Sequence, residues 1–114
     1  MTAPADQLTD IAYTTDGPIA FITFNRPKYR NAQSWRLLDE FDIAMQEADM
    51  DPSILVIIVR GAGGNFSSGH DLGTPEQMAE RSARGIGDAG VDFYDNFKKY
   101  NLDLLLKWRN ARKP

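Results

Sequence analysis

The sequence predicts an α/β fold, and three observations carry that expectation. A pair of β-type runs, "DIAYTTDGPIAFITF", is broken at Asp16-Gly17, a dipeptide suited to a tight hairpin turn. A stripe of apolar residues at helical spacing follows. After it comes "ILVIIV", an uninterrupted aliphatic run too short for a helix of its own. Strand, helix and strand at this spacing form a βαβ unit, whose two strands lie parallel.

Each element has its own justification. Residues 1–8 carry no pattern and read as a loose N-terminus. In the second arm of the hairpin Ile19, Phe21 and Thr23 point one way, and Ala20, Ile22 and Phe24 the other. Both faces are largely apolar, which predicts cover on both sides of the strand. Pro27, in "NRPKYRNA", ends it because proline cannot donate to a ladder. From Ser34 to Asp49, Leu37, Leu38, Phe41, Ala44, Met45 and Ala48 make one helical stripe, with Ser34 as cap and Asp51-Pro52 as terminator. "ILVIIV" reads as an interior parallel strand. "TPEQMAERSAR" suits a short helix capped by Thr74, and "GIGDAG" a hinge, so residues 73–90 are candidates for a mobile loop. A second long helix is expected from Val91 to Arg109, with Tyr94, Phe97, Leu104, Leu105 and Trp108 near one face and Asn101 interrupting it.

Composition narrows the function classes. The 114 residues suffice for one small domain or part of a larger one, and 42% apolar with 25% charged residues is ordinary for a globular chain. A formal charge of −3 disfavours nucleic acid as a partner, since phosphate neutralisation needs clustered Lys and Arg. The absence of cysteine excludes disulfides and thiolate metal sites. No apolar run approaches the ~20 residues of a membrane span, and "MTAPADQLTD" lacks the blocks of a secretion signal. The expected setting is the cytoplasm, away from membranes.

The segment with most chemical content is "NFSSGHDLG", residues 65–73, which follows the aliphatic run and holds the single histidine. It is not a dinucleotide fingerprint, because Phe66 stands where the third glycine belongs, and not a phosphate loop, because no lysine occurs there. It lacks the Gly-x-Ser-x-Gly of a nucleophile elbow, and His70 with Asp71 alone would leave a metal short of ligands. A backbone role remains: small residues past a parallel strand can turn tightly and aim peptide N–H groups at an anion, at the strand end where open α/β sheets bind ligands. A plain strand-to-helix connection is the alternative.

Three separated motifs, "GPIAFITFNRP", "RNA" and "LVIIVRGAGGNFSSGHDL", together resemble the enoyl-CoA hydratase/isomerase family, the crotonase superfamily, over roughly residues 8–76. The resemblance implies a crotonase-like stack of ββα units, of which this chain would be the N-terminal portion of a single acyl-CoA-binding domain. It implies acyl-CoA chemistry in which peptide N–H groups stabilise a thioester enolate, with coenzyme A arriving as part of the substrate and no separate cofactor or metal. The position after the motif glycine is His70, so its backbone N–H would be one oxyanion donor and its imidazole a packing or pocket-lining group. The backbone of Ser68, Gly69, Asp71 and Leu72 resembles the lining of the acyl-CoA pocket. Lys28 and Arg30 resemble groups that approach CoA phosphates, with a solvated loop as the alternative, and Ala32 a small residue beside the pantetheine arm. The basic run from Lys107 to Lys113 reads as a solvated helix end.

Family chains are more than twice as long, and the second oxyanion donor and the catalytic acids come from their later part. The expectation is therefore an enoyl-CoA hydratase when full length, a homo-oligomer (trimer or dimer of trimers), and an inactive 114-residue chain. Losing one oxyanion donor alone costs about 10²–10³ in rate. The alternatives are isomerisation, thioester hydrolysis or dehalogenation by the same scaffold, or a non-catalytic domain that binds CoA or a partner chain. Asp88, Asp92 and Asp95 are poor substitutes for the missing acids. Tyr94, Phe97 and Trp108 would either shape a roomy acyl pocket or pack the core.

Overall fold

In a computed structural model, residues 7–87 and 90–114 are described. Strands β1 (Ile11–Asp16) and β2 (Ile19–Phe24) form the antiparallel hairpin, and β3 (Val56–Gly61) pairs parallel with β2, giving the sheet order β1-β2-β3. Helix α1 (Trp35–Met50) is the crossover. Helix α2 (Pro75–Arg84) follows, and the chain closes with α3 (Val91–Lys98), a wide π-type turn at Lys99–Asp103, and α4 (Leu104–Arg109). The expected βαβ unit is present.

The core lies between one sheet face and α1. Ile22 and Phe24 point into it from β2 and meet Leu37, Leu38, Phe41 and Ala44, while Ala20 packs with Ala48 and Ile54. Phe24 and Phe41 meet edge to face at 5.5 Å, an arrangement that their ring quadrupoles favour. The helix starts where the sequence places it: the Ser34 hydroxyl accepts from Leu37 N–H at 3.1 Å. Removing that acceptor with Ser34→Ala is expected to cost about 1 kcal/mol of stability, read as a lower urea midpoint with unchanged slope.

Three expectations are corrected. Leu8, assigned to the loose N-terminus, packs against the core, and residues 9–11 are anchored by the buried Glu40. Glu40 Oε1 accepts from the N–H groups of Thr9, Asp10 and Ile11 at 2.9, 2.8 and 3.2 Å. Of that assignment, residues 1–6 lie outside the described residues, and Gln7 is exposed.

The aliphatic run is displaced and only half covered. β3 begins at Val56, and Val56 and Ile58 are exposed while Ile57 and Val59 pack towards the core. Uniform hydrophobicity told which residues avoid water but not what covers each face. The outer face carries Phe21, with the Arg60 guanidinium 4.4 Å over its ring. At the free edge of β3, Ile57 N–H donates to the Pro114 carbonyl at 2.9 Å.

The last helix is not regular. Its wide turn buries Tyr100 and Leu104, whereas Tyr94, Phe97 and Leu105 are exposed. A constant 3.6-residue period cannot anticipate such a shift of register. Trp108 sits against Phe41 at 4.6 Å and donates its indole N–H to Asp42, so it belongs to the core. Of the hinge, Asp88 and Ala89 lie outside the described residues.

Candidate active site

The segment after β2 and the segment after β3 are knitted together into one surface. Gln33 N–H donates to the Gly69 carbonyl at 2.7 Å and Asp71 N–H to the Gln33 carbonyl at 2.9 Å, a parallel bridge centred on His70. Ser68 N–H donates to the Arg30 carbonyl. The Ser67 hydroxyl donates to the Asn31 carbonyl and accepts from Gln33 Nε2 and from Gly69 N–H. Gly69 makes the turn at φ +106°, a value that side chains resist.

In a parallel bridge, the residue between the two bonds directs its own N–H and C=O away from the partner strand. That residue is His70. Among the described residues no acceptor meets its N–H, and the side chain is exposed. Two cavities meet there. One, about 570 Å³ and open, is bordered by Lys28, Arg30, Ala32 and Ser68; the other, about 340 Å³, by Trp35, Met78, Phe97 and Tyr100. His70, Asp71 and Leu72 border both. Every residue expected at the site except Gly69 thus lines a cavity, and Gly69 forms the turn between its neighbours. Lys28 and Arg30 are exposed and outside the ion pairs of the described residues; Lys28 Nζ rests 5.2 Å over the Tyr29 ring.

The side chains that hold this surface were not evident from the sequence. Arg26 is buried and reaches across the two segments. It donates to the Ala32 carbonyl at 2.5 Å, to Asp71 Oδ2 at 3.0 Å and to Thr74 Oγ1 at 3.2 Å. Asp71 is buried too, and its oxygens also accept from Gly73 N–H, Thr74 N–H and the Thr74 hydroxyl. Burial by itself pushes the Asp71 carboxyl up, but the bonds from Thr74, Gly73 and Arg26 outweigh it and hold the group below the ordinary aspartate range.

Asn31, fully buried at φ +58°, accepts from Arg26 N–H through Oδ1 and donates through Nδ2 to the carbonyls of Ala62 and Asn65. Gly61 lets that loop pass close by: a Cβ on it would lie 2.1 Å from the Asn65 carbonyl oxygen. The one available sequence signal was the asparagine itself, the residue that best tolerates a left-handed backbone after glycine.

The 340 Å³ cavity has a rigid floor. The Tyr100 hydroxyl donates to Asp39 at 2.8 Å and accepts from Arg84, which also pairs with Asp39 and Glu80. Burial raises the Tyr100 pKa, so the phenol stays protonated and able to donate. Trp35 stacks on Tyr100 at 5.9 Å. Among the described residues no group of three or more His, Asp or Glu could hold a metal ion. No helix is long and apolar enough to cross a membrane.

The result is an α/β unit whose loop at the end of a parallel strand presents an unpartnered main-chain N–H between two cavities. The chain belongs to the enoyl-CoA hydratase/isomerase family, whose model matches residues 14–105. A crystal structure of a probable enoyl-CoA hydratase from Mycobacterium smegmatis superposes with a TM-score of 0.75 at 39% identity, covering 92% of this chain and 38% of that one. Enoyl-CoA hydratase EchA19 of Mycobacterium tuberculosis is 35% identical over 98 residues, 86% of this chain and 34% of its own length. Enoyl-CoA delta isomerase 2 of Rattus norvegicus is 35% identical over 99 residues, 78% of this chain and 25% of its own. The chain spans about a quarter to a third of the length of the curated relatives it matches.

Proposed function

We propose that this chain is the N-terminal part of an acyl-CoA-processing enzyme, with hydration of a 2,3-enoyl-CoA as its leading reaction. The observation that carries the reading is the unpartnered His70 N–H at the junction of two cavities. A thioester carbonyl seated there would accept this bond, and the bond strengthens as enolate charge develops on the oxygen, which is how such a donor accelerates a reaction. Lys28 and Arg30 would pair with CoA phosphates, and Ala32 with the backbone of Ser68, Gly69, Asp71 and Leu72 would flank the pantetheine arm. CoA enters as part of the substrate, with no further cofactor. The second oxyanion donor, the proton-moving acids and a trimeric assembly would belong to the full-length enzyme. Relatives named as isomerases support isomerisation as the second reading.

Calorimetric titration tests the binding half of this proposal. The chain is expected to bind CoA, and Lys28→Ala with Arg30→Ala to weaken it roughly fivefold, with a salt dependence that the wild type shows and the double variant loses. Absence of CoA binding by the wild type would overturn the reading. The 114 residues alone are expected to hydrate crotonyl-CoA no faster than buffer; ordinary enzyme rates would refute the division of the site.

A further inference from the structure

The second cavity says what kind of acyl group the site would take. Apart from the exposed His70 imidazole, most polar side chains on its rim are already committed within the chain. Gln33 Nε2 donates to Ser67, Gln77 Oε1 accepts from Trp35 N–H, Asn101 Nδ2 donates to the Phe97 carbonyl, and Arg81 donates to the carbonyls of Ile86 and Gly87. The larger part of what faces the space is apolar: the rings of Trp35 and Tyr100, the Met78 thioether, 47% exposed, and the Phe97 ring, 58% exposed. Two large apolar side chains left in water beside one cavity gain from any apolar group that covers both. At about 340 Å³ the cavity lies in the range that accommodates drug-sized ligands, more than a four-carbon chain fills.

We propose that this cavity receives the acyl arm of the thioester and selects a long or bulky apolar acyl group over a short one, with Met78 and Phe97 setting the preference. The inference rests on the proposed seating of the thioester at His70. Met78 comes from α2 and Phe97 from α3, so the gap between those helices defines the width of the cavity. Arg84 at the end of α2, Asp39 on α1 and Tyr100 in the wide turn bond to one another and fix that gap. Tyr100 is thereby a positioning residue: it acts through the wall and need not touch the reacting atoms.

The test compares free CoA, crotonyl-CoA and trans-2-decenoyl-CoA by calorimetry on the wild-type chain and on the variant carrying Met78→Ser and Phe97→Ser. Each methylene taken from water contributes about fourfold in affinity, so seating as few as two of the extra methylenes gives tenfold or somewhat more, about 16-fold. Decenoyl-CoA is expected to bind about tenfold tighter than crotonyl-CoA to the wild type and no more than about twofold tighter to the variant, with CoA affinity unchanged as the control for folding. Tyr100→Phe is expected to narrow the ratio while leaving CoA affinity alone. Equal binding of the two thioesters by the wild type, or an undiminished ratio in the double variant, would overturn this inference while leaving CoA recognition intact. Loss of CoA binding in the wild type would instead remove the reading on which it rests, and the inference with it.

Discussion

Replacing Asp71 with asparagine is expected to lower the stability of the chain by about 3–5 kcal/mol, the cost of leaving one partner of a buried ion pair uncompensated. Arg26 and Asp71 side chains are 5% and 1% exposed. The asparagine keeps the shape, but its amide cannot reproduce acceptors for Gly73 N–H, Thr74 N–H, the Thr74 hydroxyl and Arg26 together. Urea unfolding followed by far-ultraviolet circular dichroism measures the loss; a change below about 1 kcal/mol would contradict the buried-pair account. The same carboxyl predicts an acid sensitivity. Its folded pKa lies below the unfolded value near 4, so its contribution is complete above that pH and is lost as pH falls through the folded value. Wild-type stability should therefore decline below about pH 4, and Asp71→Asn should flatten that part of the decline.

Asn31→Ala is expected to cost about 3–4 kcal/mol and to weaken CoA binding through displacement of the residue 65–73 loop. The change removes the acceptor for Arg26 N–H and the donors for two carbonyls, at about 1–3 kcal/mol for each buried group left unpaired. It also places a Cβ-bearing residue without a polar side chain at φ +58°, about 1 kcal/mol more. Asn31→Gly separates these terms, since glycine accepts the backbone angle but restores none of the bonds. If Asn31→Gly matched the wild type, the side-chain bonds would not be the cause.

The two residues mark where legibility in the sequence stops. Period and caps placed β1, β2, α1 and α2 within a residue or two, because those features depend on near neighbours. The loop lining came from motif resemblance, and its residues border the two cavities. Arg26 and Asn31 do not stand out in the sequence because their partners lie up to 48 and 34 positions away. A buried arginine looks in sequence like any solvated one. Tyr100 was hidden by the wide turn, which breaks the count that assigns residues to a face. The outer side of β3 was misjudged since hydrophobicity is a property of residues and cover is a property of what surrounds them.

The placement of the two tryptophans has an optical consequence. Trp35 lies in the wall of the smaller cavity, under the Arg84 guanidinium and against Tyr100, whereas Trp108 is wedged between Phe41 and Asp42. One indole therefore borders the cavity beside His70, and the other packs on the core at the rim of a separate cavity. With an acyl-CoA seated as proposed, quenching or a spectral shift is expected at Trp35, while the Trp108 signal is expected to hold until the helices separate. The molecule carries its own pair of lamps, one for occupancy and one for integrity.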